Sequence, residues 1–196
     1  MTTSQAQPQT AYPITDDNRF TAVFGAPDPN GRAKTKVVDY MTDFVKEFIR
    51  QSPFVVMATS DVEGNCDASP KGGKPGFVKV LDDRHLVLPD VAGNRLFQSY
   101  LNMDENPHVG LIFMIPGVND TVRVNGTVSI VNQDELNQKD VEVSLYEPDE
   151  RGYHLQGIII EVDEAYGHCP RALHFSRFWD IETIEKHKSE RPVPTR

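Results

Sequence analysis

Two groups of residues in this 196-residue chain place a cation beside backbone amides that a turn or a helix start leaves unpaired. Lys71 precedes Gly72 and Gly73 in a glycine-rich loop, and Asn94 and Arg95 stand where a short helix is predicted to begin. A helix N-terminus offers unpaired N–H groups and a positive dipole end, and an arginine can grip an anion with two parallel hydrogen bonds. Together these groups predict a phosphate site. The alternative is that they are solvated charges in turns.

A third candidate group lies in a predicted strand near the middle of the chain. Arg123 stands between Val122 and Val124, and Asn125 follows them. Because successive strand side chains point to opposite faces, Arg123 and Asn125 should face away from the valines. If the valines face the core, the opposite face is solvent or a subunit boundary. A solvated strand charge is the simpler alternative.

The segment 165–180 is unusually dense in aromatic and cationic residues. Cys169 lies between two histidines, but no second spaced pair accompanies it as a zinc site requires. Adjacency in sequence also does not supply the geometry of a nucleophilic Cys–His pair. Trp179 is either a lid on a flat ligand or an anchor of this segment. The sequence therefore assigns neither a metal site nor a catalytic residue.

The positions of these residues are set by a predicted antiparallel β-barrel in the middle of the chain. Residues 54–131 contain six strand-like runs and one short helix, separated by turn signals rich in glycine, proline and aspartate. Runs of β-branched and aromatic residues at this spacing are typical of an antiparallel meander that closes into a barrel. The runs cover residues 54–59, 67–69, 77–81, 85–88, 109–115 and 121–128, and a further strand is predicted at 157–162.

Helices are predicted to flank this barrel. An apolar stripe at helical spacing predicts a helix over residues 33–50, a shorter one follows at 93–102, and residues 132–150 read as a surface helix and loop. The chain is thus expected to be mainly β, a β-barrel with flanking helices. The predicted organisation is an N-terminal tail and turn-rich lead-in (1–32), a single domain (33–180) and a C-terminal tail (181–196).

Composition and charge limit the kinds of partner that this protein is expected to bind. The formal net charge is −9 and no run of lysine and arginine forms a face, which argues against nucleic acid. Two cysteines favour a reducing compartment. The longest apolar run, 109–115, is too short to cross a bilayer, and the first ten residues lack a basic start and an apolar stretch. A cytoplasmic protein without a membrane partner is therefore expected.

Several motifs occur in one order along the chain. They are Ser-Pro-Lys-Gly (69–72), Pro-Asp-x-x-Gly-Asn-Arg (89–95), Asn-Pro-x-Val-Gly-Leu-Ile-Phe (106–113), Val-Arg-Val-Asn-Gly (122–126) and Cys-Pro-Arg-Ala-Leu (169–173). This order resembles the pyridoxamine 5′-phosphate oxidase-like FMN-binding split-barrel flavoproteins over roughly residues 33–180. The resemblance implies a six-stranded FMN-binding split barrel, a homodimer with FMN at its interface, and FMN-dependent oxidoreductase activity on a small organic substrate.

The resemblance also implies roles for particular residues. The Ser-Pro-Lys-Gly segment and the Asn-Arg pair would bind the FMN phosphate and ribityl chain and line the flavin edge, the Val-Arg-Val-Asn strand would lie near the interface, and the C-terminal segment would cover the ring from the other subunit. The implied cofactor-binding residues are Ser69, Pro70, Lys71, Gly72, Asn94, Arg95, Arg123, Asn125, Cys169, Arg177 and Trp179.

The C-terminal region departs from the family pattern. True pyridoxamine-phosphate oxidases end in a longer arginine-containing segment that holds the substrate phosphate, and here only Arg177 and Trp179 stand as a remnant. A different small substrate is therefore expected. The alternatives are a flavin carrier without turnover, an empty barrel serving as an interaction surface, and a deazaflavin in place of FMN.

Overall fold

A computed structural model describes residues 21–26, 28, 30–31, 35–91, 97–142, 144–147 and 153–194. Its centre is a seven-stranded antiparallel sheet in the order β2-β1-β5-β6-β7-β4-β3. The strands are β1 (Phe54–Ser60), β2 (Cys66–Gly72), β3 (Lys79–Val80), β4 (His85–Val91), β5 (His108–Met114), β6 (Thr121–Asn132) and β7 (His154–His168). The helices are α1 (Thr21–Phe24), α2 (Asp43–Gln51), α3 (Gln98–Glu105), α4 (Gln133–Gln138), α5 (Arg171–Phe175) and α6 (Ile181–Ser189).

Period-two alternation builds the core. One face of β1, β5 and β6 buries a row of apolar side chains, among them Val55, Met57, Leu111, Phe113, Val122 and Val124. Helix α2 covers this layer with Val45, Phe48 and Ile49, which are also buried. Each such side chain contributes roughly 1.5–3 kcal/mol by leaving water. The predicted mainly β fold, a curled antiparallel sheet with flanking helices, is confirmed.

The predicted helix over residues 33–50 is wrong over residues 36–42. Helix α2 begins only at Asp43, where the Thr42 side chain accepts a hydrogen bond from the Val45 amide and caps the helix. Before it, Val38 forms an antiparallel bridge with Ala165 of β7. The apolar residues that suggested one long stripe therefore belong to two elements, an extended segment and a helix. Residues 32–34 lie outside the described part of the chain.

The six predicted runs and the further strand at 157–162 match the seven strands in number, one more than the six that the resemblance implies. Their lengths differ from the prediction. The run expected at 157–162 extends from His154 to His168 and pairs with both β6 and β4. The run expected at 77–81 keeps only Lys79 and Val80 as a strand. The surface helix expected within 132–150 is α4, which Asn132 and Glu135 stabilise with a reciprocal capping box.

The C-terminal residues expected as a tail begin as a helix. Asp180 accepts a hydrogen bond from the Thr183 amide at 3.0 Å and caps α6. The predicted domain boundaries stay a prediction. No helix in the described residues has the length and apolar character needed to cross a membrane.

The sheet curls, but a seam separates two of its strands. Strand β2 is the last strand on one side, and the two-residue β3 covers only the Leu86–Val87 part of β4 on the other. The remainder of β4 faces β2 across this seam. The Lys71 side chain of β2 and the Asp90 side chain of β4 form a hydrogen bond across it. Both strands carry a proline here, Pro70 and Pro89, and a proline has no N–H to donate to a ladder.

Candidate functional site

A cavity of about 380 Å³ opens at the seam between β2 and β4. Its size lies in the range of small-molecule sites. It is lined by Ser69, Pro70, Lys71 and Gly72 of β2, by Pro89, Asp90 and Val91 of β4, and by Phe77, Ser144 and Leu145 from the flanking loops. The four predicted residues of the Ser-Pro-Lys-Gly motif are thus brought together around one opening.

One ion pair joins the two sides of this cavity. The Lys71 ammonium donates to the Asp90 carboxylate at 3.0 Å, and the two side chains are 19% and 23% exposed. An ammonium has three donors, so Lys71 keeps two for a further acceptor. The pair gives the cavity one positive and one negative group among walls that are partly polar and partly apolar.

Tyr100 of α3 extends the network behind Asp90. Burial, followed by the nearby Asp90 carboxylate, raises the pKa of the Tyr100 hydroxyl, whereas a hydrogen bond with Gln156 lowers it. The hydroxyl therefore stays protonated at ordinary pH and can donate to Asp90. Asp90 consequently accepts a hydrogen bond from Lys71 and has the Tyr100 hydroxyl nearby.

Helix α3 begins beside β2. Ser99 donates a hydrogen bond to Asp67 of β2, and the Tyr100 side chain lies near Asp90 of β4. The residue before the helix, Phe97, has a left-handed backbone (φ 54°) and its side chain makes no cap hydrogen bond. The first turn of α3 is therefore held to β2 by a side-chain hydrogen bond.

The glycine-rich loop after β2 has a packing function. A side chain at Gly73 would place its Cβ 2.5 Å from the Ser144 carbonyl oxygen and 2.7 Å from the Phe77 Cβ. The Gly73 amide donates to the Pro53 carbonyl at 3.0 Å, and the Lys74 amide donates to Ser144 at 2.7 Å. The loop amides expected to cradle a phosphate are thus partly used to hold the cavity wall.

Arg123 and Asn125 lie on the face opposite Val122 and Val124, as predicted, but away from the cavity. Arg123 donates to the Tyr166 hydroxyl at 3.2 Å, and Asn125 donates to Glu164 at 3.0 Å. Pro70 pairs with Val56 of β1, Val56 pairs with Ile112 of β5, and Ile112 pairs with Arg123. Three strand spacings put these residues about 14 Å apart.

The C-terminal candidates also lie apart from the cavity lining. Trp179 donates its indole N–H to the Val118 carbonyl at 3.0 Å and packs edge-on against Phe178. This contact within the chain favours the anchor over the lid. Arg177 pairs with Asp180 at 3.0 Å, and Cys169 is an exposed free thiol. No group of three metal-ligating side chains occurs within the residues that the structure describes.

Asn94 and Arg95 lie outside the described residues, so their predicted phosphate contacts stay a prediction. The sequence reasoning missed Asp90 and Tyr100. Asp90 belongs to the Pro-Asp-x-x-Gly-Asn-Arg motif and lies two residues after a predicted strand. Its place in that motif could have identified it as a site residue. No spacing marked Tyr100, because its partner lies on another element.

The comparison with protein families identifies one family. The sequence profile of pyridoxamine 5′-phosphate oxidase matches residues 41–159, which is more than half of the chain. The chain belongs to the pyridoxamine 5′-phosphate oxidase family.

Solved structures with similar folds are distant in sequence. HupZ from Group A Streptococcus is 18% identical, with 65% of this chain and 93% of HupZ covered and a TM-score of 0.46. A Lactobacillus delbrueckii protein provisionally named a pyridoxamine 5′-phosphate oxidase is 21% identical, with coverages of 67% and 98% and a TM-score of 0.49. An FMN-binding protein from Syntrophomonas wolfei is 10% identical, with coverages of 63% and 82% and a TM-score of 0.47. No protein of curated function matches the sequence significantly.

Proposed function

We propose that this protein is an FMN-binding flavoprotein and an FMN-dependent oxidoreductase that acts on a small organic substrate other than pyridoxamine phosphate. The family match over residues 41–159 supports a flavin, and the seam cavity is the single structural observation that carries the proposal. The cavity gathers the Ser-Pro-Lys-Gly motif, its cation and several apolar side chains within one opening.

The residues of the cavity suit the parts of FMN. Lys71 would hold the phosphate with its two remaining donors, together with Asn94 and Arg95. Pro70, Pro89 and Leu145 offer apolar surface to a flat ring. When bound, the flavin supplies the transfer of a hydride or of two electrons. The protein contributes binding, orientation and shelter from water.

The direct test is the identity of the bound pigment. Protein purified without added flavin is expected to be yellow, and mass spectrometry of the pigment released by denaturation should give FMN. If the protein is colourless, it should take up added FMN in stoichiometric amounts. Colourless protein that binds no added FMN would contradict the proposal, and a released deazaflavin would correct the cofactor.

Turnover needs a second measurement, because a flavin carrier without activity would also contain FMN. An oxidoreductase is expected to lose its flavin absorbance when mixed with reduced nicotinamide without oxygen, and to recover it in air. A carrier would keep its absorbance under the same conditions. Free FMN at the same concentration is the control for reduction in solution.

We further propose a homodimer formed through the outer face of the sheet. Val56, Ile112 and Met114 are half-buried on this face, and Ala58 beside them is exposed. The row of paired residues that contains Val56 and Ile112 starts at Pro70, which also lines the cavity. A second subunit on this face would therefore reach the rim of the seam.

Light scattering tests the dimer. The flavin-loaded protein is expected to have twice the mass of the chain, and Ile112→Asp is expected to give monomers because a charge cannot be buried unpaired. Val62→Asp is the matched control, since Val62 lies in a loop and is 70% exposed. A stable flavin-loaded monomer in the unsubstituted protein would contradict the dimer.

A further inference from the structure

The seam cavity contains a carboxylate at the place where an anionic ligand would bind. Asp90 lies 3.0 Å from the only cation that lines the cavity among the described residues, and both side chains are largely buried. A site built only to hold a phosphate has no use for this negative charge. The position of Asp90 therefore calls for a function.

We propose that Asp90 is a specificity-determining residue that sets how strongly the cavity prefers a phosphorylated flavin over the same flavin without its phosphate. This inference rests on the proposed binding of FMN at the seam. An oxygen of the phosphate that meets Lys71 must also approach the Asp90 carboxylate, because the ammonium and carboxylate are already in contact. Like charges at this distance repel, and the repulsion is stronger in a partly buried cavity than in water.

The surroundings of Asp90 keep it in place when a ligand arrives. Asp90 lies within β4, where it pairs with Gln156 of β7, and the Tyr100 hydroxyl lies near its carboxylate on the side of α3. Losing part of the Lys71 interaction to a phosphate therefore need not displace Asp90. The cavity keeps a fixed negative charge that reduces the benefit of a second one.

The attraction of Lys71 and the repulsion of Asp90 should therefore act in opposite directions on the phosphate. Lys71 favours FMN over riboflavin, and Asp90 reduces that preference. An anionic ligand is accepted, but its affinity is held below what Lys71 alone would give. Such a balance suits a site that must also release its ligand or admit a neutral one.

The test compares FMN with riboflavin, which differ only in the phosphate. Dissociation constants are measured by flavin fluorescence on the apoprotein for the unsubstituted chain and for Asp90→Asn, which keeps the shape and removes the charge. We expect Asp90→Asn to raise the preference for FMN over riboflavin by about three- to tenfold, corresponding to one close charge pair. The affinity for riboflavin should change by less than about twofold, and added salt should reduce the gain by screening.

Asp104→Asn is the matched control. Asp104 is exposed on the same helix as Tyr100, so this substitution changes the net charge equally without touching the cavity. It should leave the preference unchanged. A preference that is also unchanged, or lowered, in Asp90→Asn would overturn the inference, whereas failure of the unsubstituted protein to bind either flavin would overturn the proposed function itself.

A second pair of variants keeps the test decisive if Asp90→Asn is poorly folded. In Lys71→Met the carboxylate loses its cation, so the preference for FMN over riboflavin should fall, and adding Asp90→Asn should raise it again by about threefold or more. Circular dichroism reports whether each variant is folded. A double variant with the same preference as Lys71→Met would show that Asp90 does not act on the phosphate.

Discussion

Neighbouring strands of the sheet are held together in two different ways, by backbone hydrogen bonds between β6 and β7 and by side chains between β2 and β4. Strands β6 and β7 form a continuous backbone ladder from the Thr121–His168 pair to the Asn132–Gln156 pair, with one register shift after Asn125. Across the seam, β2 and β4 are joined by side chains around Asp90. Backbone ladders need only the right strand pattern, whereas a side-chain joint can be separated or rebuilt around a ligand. The ladder therefore determines the fold, and the seam is where binding can change without loss of the fold.

The largest effect is expected from Gly126→Ala in the ladder. A Cβ at Gly126 would collide with the Glu161 carbonyl oxygen and lie 2.7 Å from the Ile160 Cγ2 atom. The backbone must then shift, and we expect the free energy of unfolding to fall by about 3 kcal/mol or more. Urea denaturation measures this change. Ser129→Ala, exposed on the same strand, should cost less than about 0.5 kcal/mol; equal losses in the two variants would contradict the collision.

Lys71→Met, at the seam, should affect FMN affinity as well as stability. It removes the cation of the seam, so FMN affinity is expected to fall by about tenfold or more. The free energy of unfolding should fall by about 1–2 kcal/mol, less than in Gly126→Ala, because the largely buried Asp90 loses its ion-pair partner. Flavin titration and urea denaturation of the same samples measure both. Lys188→Met, which removes an exposed lysine of α6, should alter neither, and unchanged FMN affinity in Lys71→Met would show that the phosphate lies elsewhere.

A smaller loss of stability is expected from Asn132→Ala, at the end of the ladder. Asn132 caps α4 by accepting a hydrogen bond from the Glu135 amide at 3.1 Å. Loss of such a cap costs about 1 kcal/mol. Thermal unfolding should show this loss while FMN affinity stays constant. Gln133→Ala, one position further and exposed, is the control; a fall in FMN affinity would mean that the ladder and the seam are coupled.

The smallest effect is expected from Cys169→Ser. The thiol is exposed and lies beyond β7, so it belongs to neither the ladder nor the seam. Stability, FMN retention and turnover should all stay within error of the unsubstituted protein. Complete loss of turnover would give this thiol a covalent role, and Cys66→Ser, the other exposed cysteine, provides the comparison.

The ladder was predictable from sequence to a degree that the seam was not. Alternation around Val122, Arg123 and Val124 correctly assigned opposite faces, because a strand repeats every two residues. The same reasoning failed at Met41, whose buried side chain belongs to an extended segment that precedes the Thr42 cap. Apolar periodicity alone does not mark the residue at which a helix begins.

The site was predictable only in its local part. The Ser-Pro-Lys-Gly motif is contiguous, so its four residues could be named as one group before their surroundings were known. Asp90 meets Lys71 across 19 positions of sequence, and Tyr100 joins them from a helix. Pairing of this kind depends on how the sheet curls, which no local pattern specifies.

The prolines of the seam have a consequence for how the protein behaves among its own copies. An exposed sheet edge with free N–H and C=O groups is a template on which another chain can add a strand. Pro70 and Pro89 remove a donor from each of the two strands that border the seam. The opening that admits a ligand is therefore a poor starting point for edge-to-edge aggregation, and replacing both prolines with valine would be expected to make the protein more prone to form insoluble assemblies.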